Sequence, residues 1–80
     1  MDKCMISKVW NKNGKEIVSQ YCNKEIYIDD LMEGCKEGYE LKIKFCDGSF
    51  FTHEVVNNIE QDDYGLHIVT TNKEWCIDWI

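Results

Sequence analysis

The alternation of apolar and charged residues is clearest between Tyr39 and Phe45, where every second side chain is apolar. A period of two is typical of a strand with one buried face. Asp47-Gly48 follows, and a second apolar stretch runs on to Val56. The pattern therefore predicts a central β-hairpin over residues 39–56, and we expect the other strands to lie against it.

The number of residues in the loop of this central hairpin can be inferred from the face on which each side chain would lie. A two-residue loop would place Glu54 on the apolar face. A three-residue loop over residues 46–48 collects the apolar side chains on one face and gives Gly48 the left-handed conformation of a G1 bulge. The predicted pairs are Ile43 with Phe51, Leu41 with His53 and Tyr39 with Val55, and the outer face carries Lys42, Lys44, Phe50, Thr52 and Glu54.

A first hairpin is predicted over Met5–Trp10 and Glu16–Tyr21, which flank an Asn13-Gly14 turn. A two-residue turn there would place Trp10 opposite Ile17 and Ile6 opposite Tyr21. The other face of this hairpin would carry Met5, Val9 and Val18.

A third hairpin is predicted over residues 66–71 and 74–80, around Asn72-Lys73. One face would carry the pairs Thr70 with Trp75, Ile68 with Ile77 and Leu66 with Trp79. We expect Trp79 and Ile80 to pack in the core or against another copy of the chain.

Between the first and central hairpins, a short strand is predicted over Glu25–Ile28, followed by a short helix near residues 30–37. Asp30 and Glu33 have the spacing of a capping box, and Gly38 suits the C-terminal cap. Gly34 weakens this helix. Its buried face would carry Leu31, Met32 and Cys35; an acidic loop is the alternative.

These elements define the expected fold class as mainly β (α+β). We expect one domain over residues 1–80, with an antiparallel meander of six to seven short strands that forms a small barrel or a bent sheet. A chain of 80 residues buries only ~60–65% of its unfolded surface, so the core is small.

Composition narrows the classes of function. The net charge is −6 and the chain contains no Arg, which disfavours direct binding of nucleic acid. The five cysteines are odd in number and form no C-x-x-C, so we expect reduced thiols, no metal and no cofactor. The sequence shows neither a long apolar run nor a signal-peptide pattern, and we expect a cytoplasmic protein with no membrane contact.

Two patterns raise the possibility of catalysis. Glu40-x-Lys42, with Asp29 or Asp30 upstream, resembles the active-site pattern of the PD-(D/E)xK nucleases. The resemblance implies two acidic metal ligands and a lysine that assists an attacking water, although the chain lacks the proline of the pattern and room for the family's core. His53 and His67, at strand positions expected to face inward, are candidates for a Cys–His pair or mixed Cys/His metal ligands.

Acidic clusters and surplus aromatic residues point to a protein interface instead. The chain lacks Ala, Arg and Pro, and this composition indicates an AT-rich gene from a low-GC bacterium or one of its phages. We expect a non-enzymatic protein that binds and blocks a host protein with a basic surface, as anti-CRISPR antagonists of nucleic-acid-processing defence systems do. The apolar anchor is expected to be Phe50 or a tyrosine such as Tyr27 or Tyr64. The candidate contact residues are Asp29, Asp30, Glu33, Glu37, Phe50, Glu60, Asp62 and Asp63.

The alternative function belongs to another class. An oligomer paired through its edge strands would form a pocket at the subunit seam, where Lys42 and Lys44 would bind a small anionic ligand such as a nucleotide. A ligand-dependent rise in Tm is the expected sign of this function.

Overall fold

A computed structural model describes residues 2–17 and 20–80 of the chain. Within these ranges the chain forms eight strands and one helix: β1 (Lys3–Asn11), β2 (Glu16–Ile17), β3 (Glu25–Tyr27), α1 (Ile28–Gly34), β4 (Ile43–Lys44), β5 (Phe50–Phe51), β6 (Val56–Gln61), β7 (Gly65–Thr70) and β8 (Lys73–Trp79). All strand pairs are antiparallel. The predicted fold class, mainly β with one short helix, is confirmed.

The main sheet has the strand order β2-β1-β8-β7-β6, and β3 pairs with β1 beside β2. Strands β6, β7 and β8 follow one another as a meander, whereas β1 pairs with β8 from the far end of the described chain. Within the described residues no strand of the main sheet joins β6 to the β2/β3 side, so the sheet is open and bent instead of closed into a barrel.

The central hairpin does not organise this sheet, contrary to the prediction. Strands β4 and β5 form a separate two-stranded sheet. They are two residues long each, whereas β1 and β8 are nine and seven residues long and pair along most of their length. The long strands therefore occupy the centre, and the hairpin covers one face of the sheet.

Near its turn, the central hairpin has the predicted register. Ile43 pairs with Phe51, and the amide of Phe45 donates to the carbonyl of Ser49 at 2.9 Å across a three-residue loop. Gly48 has a φ of +89°, as expected for the left-handed residue of a G1 bulge.

Beyond Thr52 the predicted register is wrong, because His53 adopts a φ of +88° and shifts the pairing by one residue. Glu40, and not Tyr39, bridges to Val55. The shift exposes His53 and leaves Tyr39 70% accessible, whereas Glu54 turns inward and is only 6% accessible. Glu54 was expected on the outer face.

Burial of the Glu54 carboxylate is compensated by partners from the β7–β8 turn. The hydroxyl of Thr70 donates to Oε1 at 2.6 Å, the amide of Asn72 donates to the same oxygen at 3.0 Å, and Lys73 Nζ binds Oε2. The indole Nε1 of Trp75 donates to Thr70 Oγ1 at 3.0 Å. A buried charge with this set of partners is tolerated.

The first hairpin also differs from its prediction by one residue. Val9 pairs with Ile17 and Trp10 with Glu16, so the predicted Trp10–Ile17 pair is wrong. Asn11 closes a three-residue loop, in which its Oδ1 accepts the amides of Asn13 and Lys15. The chain turns again at residues 20–23, so Ile6 and Tyr21 are not cross-strand partners. Val18 lies outside the described residues.

The third hairpin has the predicted inward face but different partners. Ile68 pairs with Trp75 and Leu66 with Ile77, a shift of two residues that a tight turn at Thr71-Asn72 explains. Since side chains repeat every two residues, the shift preserves the facing. The residues buried on this face are Leu66, Ile68, Thr70, Trp75 and Ile77. Trp79 packs against the core as expected, whereas Ile80 is 68% accessible and does not pack in the core of this chain.

Helix α1 begins earlier and ends earlier than predicted. It spans Ile28–Gly34, so Asp30 lies inside the helix and makes no capping box, and Tyr27 at the N-cap has no side-chain cap. Gly38, with a φ of +85°, serves a later turn in which the amide of Tyr39 donates to the carbonyl of Lys36 at 3.1 Å. Leu31 and Cys35 are buried as expected, but Met32 is exposed.

Aromatic side chains join the hairpin to the main sheet. Phe51 meets Trp75 with ring centroids 4.8 Å apart, and Tyr21 stacks on Phe45 at 5.6 Å. Trp10 lies on the opposite face of the sheet, where its ring stacks on that of His67 with centroids 6.0 Å apart. The core thus lies between the main sheet, the β4–β5 hairpin and α1.

Candidate interaction cleft

A close contact between α1 and the segment just before β4 lies beneath a concavity of the described surface. The amide of Lys42 donates to the carbonyl of Gly34 at 2.9 Å. A Cβ at Gly34 would lie 1.9 Å from the carbonyl oxygen of Lys42, so only glycine permits this approach. The glycine that weakens the helix therefore has a packing role that the sequence did not reveal.

Two adjoining lobes form a cleft on this contact, and both are lined by Glu33, Gly34 and Lys42. The first lobe has a volume of about 500 Å³ and the second about 410 Å³. The first lobe adds Lys36, Tyr39 and Glu40, and the second adds Asp30, Lys44, Phe50 and Thr52.

Opposite charges line the two sides of the second lobe, whereas the first lobe adds one charge of each sign, Lys36 and Glu40. Asp30 and Glu33 of α1 form what we call the helix wall, and Lys42 and Lys44 form the hairpin wall. The ion pairs of the described residues join other groups, and none of them joins the two walls. Both walls therefore present charges that the fold itself does not neutralise.

An exposed aromatic side chain stands in each lobe. Phe50 is 63% accessible in the second lobe, and Tyr39 is 70% accessible in the first. Aromatic residues beside charges are common anchors of protein interfaces. Phe50 was a candidate anchor; Tyr39 was missed because its alternation with Leu41 indicated an inward position.

The structure brings together some of the predicted contact residues and separates others. Asp30, Glu33 and Phe50 meet in the second lobe, together with Lys42 and Lys44 of the alternative function. Asp29 is exposed on the first turn of α1 but does not line the cleft.

Several other acidic candidates support the fold. Glu37 Oε2 accepts the amide of Ile59 at 3.3 Å and so covers part of the free edge of β6. Asp62 Oδ1 accepts the amides of Tyr64 and Gly65 at 2.8 and 3.0 Å and so forms the β6–β7 turn. Glu60 and Asp63 are exposed near this turn and line neither lobe.

Residues of the nuclease-like pattern and the histidines do not converge. Glu40 lines the first lobe and Asp30 the second, and Lys42 lines both, so the two carboxylates of the pattern do not share a lobe. His53 is exposed, and His67 faces Glu74 at 3.5 Å on the outer face of the sheet. Within residues 2–17 and 20–80, no group of three or more His, Cys, Asp or Glu side chains is arranged to hold a metal ion.

Cysteine thiols in the described chain are free. Burial raises the pKa of Cys4 and of Cys35 to about 11, with a smaller contribution from Cys46 and Glu37 respectively. Such thiols are poor nucleophiles at neutral pH. Across the same residues, no helix has the length and apolar character needed to cross a membrane.

Comparisons of the chain with protein-family models, with curated proteins and with solved structures give no match.

Proposed function

We propose that this protein is a non-enzymatic interaction domain that binds and blocks another protein through the cleft between α1 and the β4–β5 hairpin. One observation carries the proposal. Phe50 is 63% accessible beside Asp30 and Glu33, and no described ion pair or side-chain hydrogen bond involves any of these three side chains. An open aromatic ring beside unpaired charges suits a protein interface better than a solvated surface.

The proposed partner is a host protein with a basic surface. The net charge of −6 attracts such a partner over a long range and speeds docking. Because the composition indicates an AT-rich gene, we propose a phage or mobile-element antagonist of a nucleic-acid-processing defence system, acting in the cytoplasm by steric occupation of the partner's basic groove.

A pull-down from a low-GC bacterial lysate at low and high salt tests this proposal. The tagged protein should retain a partner at low salt and release it at high salt. Phe50→Ala and the pair Asp30→Asn with Glu33→Gln should each abolish retention.

Matched controls separate the cleft from overall charge and exposed aromatic area. Glu60→Gln with Asp63→Asn removes the same two charges near the β6–β7 turn, and Tyr64→Ala removes an aromatic ring that is 79% accessible. Both control proteins should retain the partner. Equal loss in cleft and control proteins would contradict the proposal.

A small anionic ligand remains the second candidate function, because Lys42 and Lys44 lack carboxylate partners in the described ion pairs. It predicts a rise in Tm on adding a nucleoside triphosphate, lost in Lys42→Gln with Lys44→Gln. Asp30 and Glu33 on the facing wall oppose an anion, which ranks this function second.

A further inference from the structure

The charged residues that line the second lobe are two carboxylates of the helix wall and two lysines of the hairpin wall. Glu33 and Lys42 line both lobes, whereas Asp30 and Lys44 line only the second lobe. The carboxylates and lysines are therefore ordered along the cleft as two pairs, Asp30 with Lys44 and Glu33 with Lys42, on walls that no described ion pair joins.

The spacing of these charges matches that of an extended chain. Residues three apart on a helix, such as Asp30 and Glu33, have Cβ atoms roughly 5–6 Å apart. Lys42 and Lys44, two apart on an extended strand, are separated by roughly 6.6–6.8 Å. Side chains on one side of an extended peptide also repeat every two residues, at the same ~6.6–6.8 Å.

We propose that the cleft binds an extended segment of the partner protein in which basic and acidic residues alternate. This inference rests on the proposed function and names the segment that the site recognises. Basic side chains of the segment face Asp30 and Glu33, and its acidic side chains face Lys42 and Lys44. The stem of a basic residue packs on the open ring of Phe50, where its charged end reaches the helix wall.

Three glycine-flanked peptides of identical composition and zero net charge provide the test: Lys-Glu-Lys-Glu, Lys-Lys-Glu-Glu and Lys-Glu-Glu-Lys. In an extended peptide, residues 1 and 3 face one wall and residues 2 and 4 face the other. Only Lys-Glu-Lys-Glu can therefore place both lysines on the helix wall and both glutamates on the hairpin wall. In the other two peptides, half of the charged side chains face a wall of the same sign. Titration of the ¹⁵N-labelled protein by NMR should give the first peptide a Kd at least about fivefold lower than the others. The amides of Gly34 and Lys42 should shift most.

A charge exchange in the protein makes the test specific. Glu33→Lys with Lys42→Glu leaves the net charge unchanged and alters two exposed side chains. Each wall then carries both signs, so the preference should change to Lys-Glu-Glu-Lys. Equal binding of all three peptides by the native protein would overturn the inference, even if the double variant failed to fold.

The outcomes for this inference and for the proposed function are distinguishable. If the pull-down retains a partner in a Phe50-dependent way but the protein binds all three peptides equally, the inference of an alternating segment is overturned and the proposed protein-binding function still stands. Selective peptide binding without a retained partner would support the segment and count against the host-protein antagonist. Self-association in sedimentation that is lost on Glu33→Lys, without peptide binding, would assign the cleft to a second copy and overturn the inference.

Discussion

Gly34 shows how a single missing side chain shapes both the packing and the candidate site. It allows the backbone of α1 to accept a hydrogen bond from Lys42, and it forms the floor shared by the two lobes. A larger residue would separate the two walls.

We predict that Gly34→Ala destabilises the protein by more than about 2 kcal/mol, although alanine favours a helix by about 1 kcal/mol. The new Cβ would lie 1.9 Å from the Lys42 carbonyl oxygen, and backbone must move to relieve the clash. Urea unfolding measures the free energy of unfolding of each variant.

Gly48→Ala is the control for this prediction, because no atom lies within 4 Å of the added Cβ. Its cost comes only from the left-handed backbone, about 1–2 kcal/mol. A smaller loss for Gly34→Ala than for Gly48→Ala would show that the contact between α1 and Lys42 is loose.

Local sequence patterns predicted the conformation or burial of some residues well. They failed where the burial of a residue depends on partners that are distant in the sequence. The left-handed Gly48 follows from a local turn pattern, and the inward face of β7 and β8 follows from the period of two. Glu54 is buried because Thr70 and Lys73, far along the chain, satisfy its carboxylate. No local pattern indicates such a partner.

At the scale of elements, the hydrogen bonds to the Glu54 carboxylate link the connection between β5 and β6 to the turn between β7 and β8. Burial acts to raise the pKa of Glu54, but hydrogen bonds from Lys73, Thr70 and the Asn72 amide together outweigh it and lower the pKa. The ionised carboxylate is therefore the form that stabilises the fold.

This shift predicts a specific dependence of stability on pH. A carboxyl group with a lowered pKa in the folded state stabilises above its ordinary pKa of 4.5, and the stabilisation is lost as the pH falls through the lower folded value. Glu54→Gln should lower the free energy of unfolding by about 2 kcal/mol at pH 7. Removing one partner of a fully buried ion pair costs ~3–5 kcal/mol, and the loss here is smaller because Lys73 keeps some contact with water.

Urea unfolding between pH 3 and pH 7 checks the sign. The difference between native protein and Glu54→Gln should shrink towards acid pH, whereas Glu60→Gln, at an exposed position, should follow the native curve. A difference that stays constant over the range would contradict the role given to the ionised Glu54.

The positions of the strands were easier to predict than the lengths of the loops that connect them. Strands β1, β7 and β8 lie where alternation indicated them, but β4 and β5 have only two residues each, and β6 lies in a stretch for which no strand was predicted. The loop after Asn11 has three residues, and the β7–β8 turn lies one residue earlier than expected. One additional loop residue changes every partner of a hairpin. The cleft could not be predicted from the sequence either, because it depends on the packing of α1 against the backbone of Lys42.

At the scale of the whole molecule, the cysteines divide by their accessibility. Cys46 is exposed at the hairpin loop, whereas Cys4 and Cys35 lie in the core with pKa values of about 11. Burial and a small thiolate fraction both slow the reaction of the core thiols.

We predict that Cys46 reacts rapidly with an aromatic disulfide reagent at pH 8, whereas Cys4 and Cys35 react only as fast as the protein unfolds. Cys46→Ser should remove the rapid phase, and in urea all five thiols should react. Rapid reaction of Cys35 in the native protein would indicate that α1 opens locally from the core.

The position of β8 between β1 and β7 has a consequence for how the chain folds. Lys73–Trp79 is the only described strand that joins the two halves of the main sheet, and its partners in β1 lie some seventy residues away, as Cys4 opposite Trp79 shows. A chain whose central contacts span so much sequence must close a large loop before they form. We therefore expect slow folding for so short a chain, on the millisecond-to-second scale of non-local β proteins, with neither half of the sheet persisting alone.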